Sequence, residues 1–179
     1  QDGDGDGEPP EDAALSRTFT AVAEADAAVD EEAERQTAAA RAMLAGKKLV
    51  IAGGGGGIPV VRDPNGVRKG VTAVIDNDLT SALMANVLGI DTLMILTAVP
   101  KVAIHFGTEK EECLDRVTLQ EIRAYHMEGH FPAGSMGPKI DAAIRFLEGG
   151  GKRVIIGQID QAMQALNGET GTRIVSNDK

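Results

Sequence analysis

The spacing of apolar residues changes repeatedly between residues 46 and 179, and this change predicts alternating strands and helices. Short apolar-rich runs predict strands at 48–52, 92–96, 102–106, 153–156 and 172–175. Apolar residues at helical spacing predict helices at 79–88, 117–127, 140–147 and 160–166. The run 92–96 is continuously apolar, which is typical of a parallel strand buried on both faces. The alternation favours an α/β fold with a mostly parallel sheet.

Turn and capping residues refine this pattern. Asp63-Pro64-Asn65-Gly66 separates two β-prone runs, 60–62 and 67–71, and predicts a hairpin. Thr118 and Glu121 have the spacing of a capping box at the start of a helix. His105 falls on an alternating strand and is interpreted as structural.

The first 45 residues differ from the rest in charge and composition. They hold 12 acidic and 3 basic side chains and so carry the whole net charge of −9, whereas 46–179 hold 15 of each sign. Residues 1–10 predict a disordered acidic tail. Residues 11–45 are rich in Ala and lack Gly and Pro, which predicts a helical segment ending before Gly46. A net-acidic protein with a neutral body is a poor candidate for nucleic-acid binding.

Cysteine content and hydropathy exclude further classes of protein. The single cysteine, Cys113, allows neither a disulfide framework nor a thiolate metal cluster, which fits a reducing cytoplasm. No apolar run approaches the roughly 20 residues of a membrane span, and we expect no membrane partner.

Two segments between residues 46 and 79 are candidates for ligand binding. The strand 48–52 leads into a glycine loop, and such a loop at the carboxyl end of a strand admits a ligand close to the backbone. Asp76 and Asp78 then stand where an apolar run meets the helix 79–88. Asp78 is either the N-cap of that helix or an acid that orients a lysine or a metal on a phosphate.

The run from Gly129 to Lys139 leads from a turn into the helix 140–147. Pro138 suits the first helical position, since its missing N–H would be unpaired there. Lys139 follows in the first turn, and a lysine beside a helix N-terminus suits a phosphate. The simpler alternative is a Gly/Pro-capped helix start with a solvated lysine.

From about residue 48 to 175 the sequence resembles the carboxyl-terminal half of carbamate kinases, in the amino acid kinase superfamily. The run Gly129–Lys139 is close to diagnostic for that family. The other matching segments are 52–61, 73–79, 95–97, 142–146 and 168–172. We therefore expect a tail at 1–10, a helical segment at 11–45 outside the resemblance, and a nucleotide-binding region at 46–179.

The resemblance implies a three-layer αβα sandwich, a cytoplasmic homodimer and the reaction ATP + carbamate ⇌ ADP + carbamoyl phosphate with Mg²⁺, usually run toward ATP in arginine breakdown. It implies that Lys139 stabilises charge on the nucleotide phosphates and that Asp78 orients the lysines. No residue is assigned as a direct metal ligand. The implied substrate-binding residues are Gly53, Gly54, Gly55, Gly56 and Asp76, and the implied nucleotide-binding residues are Thr97, Ala98, Val99, Ser135, Met136 and Lys139.

Two departures from the family pattern leave activity in doubt. The resemblance covers only the carboxyl-terminal half, so we expect an exposed strand edge that the segment 11–45 partly covers. The family has Asp-Lys-Asp where this chain has Asp76-Asn77-Asp78, and Asn77 cannot supply the charge of the phosphoryl-binding lysine. Lys101 follows a different strand and is a poor substitute. A non-catalytic nucleotide-binding or dimerising remnant is therefore the alternative. A kinase of acetylglutamate or a uridylate is disfavoured by the run Gly129–Lys139.

Overall fold

The computed structural model describes residues 38, 40–52, 60–62, 65, 67–72 and 74–177. The predicted tail, most of the helical segment 11–45 and the glycine loop lie outside these residues. Residues 40–45 are helical and end at Gly46, as predicted. No helix in the described part of the chain is long and apolar enough to span a membrane.

Four α-helices follow. They are α1 (Asn77–Leu88), α2 (Leu119–Met127), α3 (Met136–Glu148) and α4 (Ala162–Asn167), the last preceded by a 3-10 turn at Ile159–Gln161. Eight strands complete the described elements: β1 (Val60–Arg62), β2 (Arg68–Gly70), β3 (Thr92–Thr97), β4 (Ala103–Ile104), β5 (Glu112–Cys113), β6 (Arg116–Thr118), β7 (Arg153–Gln158) and β8 (Thr172–Val175).

The main sheet has four strands in the order β3-β7-β8-β6. β3 pairs with β7 and β6 with β8 in parallel, whereas β7 and β8 are antiparallel. The sheet is therefore mixed but mostly parallel. β1 and β2 form the predicted hairpin, and β4 with β5 forms a second short antiparallel pair.

The core lies between this sheet and the helices α1, α2 and α3. Ile140, Ala143 and Phe146 on α3 are completely buried, because α3 packs between α1 and α2 with its apolar face on the sheet. Ile155, Ile156 and the rest of the aliphatic β7 are buried as well. A core with very few aromatic rings is thus filled by Ile, Val and Ala, as the composition requires.

The predicted buried strand at 48–52 is wrong. These residues form no strand, and the side chains of Leu49 and Ile51 are 89% and 94% exposed. A strand exists only where its backbone pairs with a neighbour, and β3 is the outermost strand on its side of the described sheet. β3 is buried only at alternate residues, so one of its faces is covered and the expected burial on both faces is wrong.

Several boundaries also differ from those predicted. The predicted helix 117–127 begins at Leu119, because residues 116–118 pair with β8 as strand β6. The predicted strand 102–106 shrinks to Ala103–Ile104. His105 lies beyond it with a left-handed backbone, φ 52°, so it is not a residue of an alternating strand.

A buried hydroxyl joins two connecting segments near the sheet. Thr172 is fully buried at the start of β8. Its Oγ1 accepts a hydrogen bond from the N–H of Val102 at 2.9 Å and donates to the carbonyl of Leu114 at 2.5 Å. The loop after β3 and the residue before Asp115 are therefore tied to the same side chain.

The capping box at α2 is confirmed and gives a pH-dependent contribution to stability. Glu121 Oε2 accepts from the N–H of Thr118 at 2.7 Å and from its hydroxyl at 2.9 Å. The Thr118 backbone hydrogen bond, followed by the hydroxyl, lowers the pKa of Glu121 below its ordinary value.

We predict that Glu121→Ala flattens the acid limb of the stability curve. A carboxylate whose pKa is depressed by folding stabilises the protein above its unfolded pKa, and this stabilisation is lost as pH falls through the folded pKa. Urea midpoints measured across the acidic range should therefore fall less steeply in the variant than in the parent. Parallel curves would contradict a role for this cap.

Candidate functional site

The starts of α1 and α3 meet at one edge of the sheet. α1 turns at Gly89 into β3, and α3 turns at 149–151 into β7. A helix followed by a tight turn and a strand runs antiparallel to that strand, so each helix begins at the strand's carboxyl end. Because β3 and β7 are parallel neighbours, both helix starts lie at the same edge, where α/β proteins commonly bind ligands.

At the start of α1 the two acidic residues have different tasks. Asp76 is the N-cap: its Oδ1 accepts from the N–H of Asp78 at 2.8 Å and, at 3.4 Å, from that of Leu79. The alternative of Asp78 as N-cap is therefore wrong, because α1 begins at Asn77, two residues before the predicted start. Asp78 lies in the first turn with its carboxylate free of capping.

The start of α3 also differs from the prediction. The helix begins at Met136, so Pro138 is its third residue rather than its first. The N–H of Gly137 donates to the carbonyl of Pro132 at 2.9 Å, and Pro138 has no N–H to offer. Two of the first three backbone positions are thus unable to bind an anion, and the lysine side chain is the main positive group here.

Lys139 and Asp78 are brought together from 61 positions apart. Lys139 Nζ lies 2.7 Å from Asp78 Oδ2, and the two side chains are only 22% and 23% exposed. Partial burial weakens solvent screening, so the pair interacts more strongly than one at the surface. The ammonium is therefore held at the sheet edge by a contact that leaves its other protons available to a ligand.

The remaining predicted site residues divide into three groups. Thr97 ends β3 and is half-buried, and Ala98 and Val99 continue beyond it at the same edge. Ser135 is exposed as the N-cap of α3, and Met136 is its first residue. The residues Gly53, Gly54, Gly55 and Gly56 lie outside the described part of the chain.

Lys101 binds Asp115 rather than a residue of the candidate site. Its ammonium is bonded to the Asp115 carboxylate, and this hydrogen bond raises the pKa of Lys101 despite partial desolvation. The pair borders an open polar cavity of about 300 Å³, also lined by Gly168–Gly171 and Arg173. In the structure, Lys101 therefore pairs with Asp115 and not with the Asp78–Lys139 pair.

The residues that support the loop before α3 were not predicted from the sequence. His126 bonds to Asp141 and stacks on Phe131, and His105 lies against His130 with ring centroids 4.4 Å apart. No spacing rule connects these positions, because the contacts cross between separate elements. Within the described residues no group of three or more His, Cys, Asp or Glu side chains has the arrangement of a metal site.

Comparison with known proteins shows which family the chain belongs to. A model of the amino acid kinase family matches residues 11–158, so the chain belongs to the amino acid kinase family. The match begins at residue 11 and so includes the segment that sequence analysis set outside the resemblance.

Within this family the chain is similar to carbamate kinases. It is 52% identical over 118 residues to carbamate kinase of Pyrococcus horikoshii, covering 66% of this chain and 37% of the relative. It is also 52% identical over 119 residues to the carbamate kinase-like protein YahI of Escherichia coli, covering 66% and 38%. The chain spans about two fifths of the length of these relatives.

A solved structure confirms the amino acid kinase fold. Carbamate kinase of Giardia lamblia bound to AMP-PNP superposes with a TM-score of 0.73 and 44% identity, over 79% of this chain and 45% of that one. The predicted fold class is therefore confirmed.

Gly137 lies where the start of α3 packs closely on the backbone of the preceding loop. A Cβ there would lie 2.9 Å from the Pro132 carbonyl oxygen and 3.4 Å from its carbon, both backbone atoms. We predict that Gly137→Ala lowers the free energy of unfolding by about 1–3 kcal/mol, because overpacking forces the backbone apart. Urea denaturation measures this loss.

Gly134 in the same loop provides the matched control. A Cβ at Gly134 would meet nothing within 4 Å, so Gly134→Ala should leave stability nearly unchanged. Equal losses for the two variants would show that loop composition, rather than the contact with Pro132, determines the effect.

Proposed function

We propose that this chain carries the nucleotide side of a carbamate kinase-type phosphotransferase, interconverting ATP + carbamate and ADP + carbamoyl phosphate. The proposal extends to a cytoplasmic homodimer that works toward ATP in arginine breakdown. The observation that carries it is the Lys139–Asp78 pair, set at 2.7 Å on two helix starts at one edge of the sheet.

Phosphoryl transfer suits this geometry. The moving phosphoryl group needs positive charge and in-line positioning more than covalent help from the protein. Lys139 supplies a fixed ammonium, and Asp78 restrains its orientation without burying it completely. A preoriented charge stabilises the transition state without having to reorganise during the reaction.

The neighbouring segments provide a border for the nucleotide. Thr97, Ala98 and Val99 follow β3 at the edge where both helices start, and Ser135 with Met136 begins α3. Similarity to a carbamate kinase whose structure contains AMP-PNP supports this assignment. Asp76 and the glycine run 53–56 are proposed for the carbamoyl-phosphate side.

The described residues could hold a magnesium ion only together with the phosphates of a bound nucleotide. Asp76 caps α1 and Asp78 bonds to Lys139, so each offers at most part of its carboxylate. Mg²⁺ commonly binds through one or two carboxylates together with substrate phosphates. When bound, it would neutralise charge on the phosphates, and these two acids are its candidate protein ligands.

Asn77 favours a second candidate function, a nucleotide-binding protein without turnover. Its side chain is exposed at the first position of α1, between the two acids. The family resemblance places a phosphoryl-binding lysine there. Asn77 contributes no charge, and loss of one such electrostatic contact typically costs about 10²–10³ in rate.

We predict that Asn77→Lys raises the rate of ATP formation from ADP and carbamoyl phosphate by about 10²-fold or more, by restoring one electrostatic contact. We also expect Lys139→Met to weaken ADP binding and to lower the rate of ATP formation by about 10²–10³-fold. Coupled detection of ATP measures the rate, and calorimetry with ADP measures binding.

The control is Lys152→Met. Lys152 pairs with Asp91 at 2.8 Å, is well exposed, and precedes β7 at the opposite edge of the sheet. It should leave ADP affinity unchanged. ADP binding with no turnover in either the parent or Asn77→Lys would support the non-catalytic alternative, and unaltered binding by Lys139→Met would refute both functions.

A further inference from the structure

His126 connects two parts of the candidate site. Its Nε2 lies 2.8 Å from Asp141 Oδ1 in the second turn of α3. Its ring stacks on Phe131 with centroids 6.2 Å apart and planes 20° apart. One side chain at the end of α2 thus contacts both the beginning of the loop before α3 and the helix that follows the loop.

The loop between these two contacts is short and internally bonded. Phe131 is buried in the core, and the carbonyl of Pro132 accepts from the N–H groups of Ser135 and Gly137 at 3.2 and 2.9 Å. Anchoring Phe131 and Asp141 to one ring therefore limits how far the start of α3 can move away from α2.

Asp141 and Lys139 hold α3 from opposite sides. Two residues along an α-helix correspond to a rotation of about 200°. Lys139 bonds to Asp78 on α1, whereas Asp141 bonds to His126 on α2. The buried Ile140 and Phe146 set the rotation of α3 about its own axis, and these two contacts restrain its first two turns from either side, and hence the direction in which the Lys139 ammonium points.

We propose that His126 and Asp141 are positioning residues for the phosphate contact of Lys139. This inference rests on the proposed nucleotide-binding function of Lys139. His126 does not touch the ligand; it restrains the first turns of α3 and the course of the loop that leads to them.

An ion pair between the same helices provides a matched control. Arg123 on α2 bonds to Glu148 at the far end of α3. Both pairs join α2 to α3 and have partly exposed side chains. Only the His126–Asp141 pair lies near Lys139, so loss of a helix–helix ion pair can be separated from loss of positioning.

The experiment compares His126→Ala, His126→Gln, Asp141→Asn and Arg123→Ala, using calorimetry with ADP and amide hydrogen exchange of the peptide 132–139. We expect ADP affinity to fall about three- to fivefold in His126→Ala and Asp141→Asn, the scale of one side-chain hydrogen bond. Exchange of 132–139 should accelerate in the same two variants. Arg123→Ala should change neither quantity, and His126→Gln, which can still donate to Asp141, should largely restore both.

Unchanged affinity and exchange in His126→Ala, or an equal effect of Arg123→Ala, would overturn the proposal. So would unfolding of all three variants at 126 and 141, because the role would then be structural. If the parent protein binds no ADP, the proposed function fails. Hydrogen exchange in the ligand-free chain then tests the restraint by itself: acceleration restricted to His126→Ala and Asp141→Asn shows that these two residues hold the start of α3, and no acceleration refutes the inference.

Discussion

The contact between Lys139 and Asp78 is the interaction on which the arrangement of the site depends. It joins the first turns of two helices that lead into neighbouring parallel strands. Burial of four fifths of each side chain removes most hydration, and this cost is offset only while the two groups stay together. The pair therefore adds a polar contact to the core packing of α1 on α3 and holds the charge at the sheet edge.

The elements that the sequence predicted well are those whose signals are local. The capping box of Thr118 and Glu121, the hairpin pairing of β1 with β2 and the runs that form β7 and β8 each depend on residues close together in the chain. The prediction of a strand at 48–52 was wrong because a strand requires a neighbouring strand to pair with, and an apolar sequence does not show whether one is present. The same limitation explains why 116–118 became a strand instead of a helical turn: pairing with β8 outweighed the helical spacing of its residues.

The residues of the candidate site divide in the same way, into those with a local sequence signal and those that depend on distant contacts. Lys139 and Asp78 were identified from the family resemblance and from helix starts, and the fold brings them within bonding distance. Which acid caps α1 was not decidable from the sequence, since Asp76 and Asp78 both suit that position chemically and a shift of two residues exchanges their roles. Support from His126 depends on contacts among α2, α3 and their connecting loop, which no single-element pattern contains.

The buried hydroxyl of Thr172 has a consequence for binding at the sheet edge. Residues 98–101 are held at one end by Thr97 in β3 and at the other by the hydrogen bond from Val102 to Thr172. Anchoring both ends reduces the conformational entropy of this segment when the protein folds, before any ligand arrives. A molecule that contacts residues 98–101 meets a preorganised surface, and more of its interaction energy is retained as affinity.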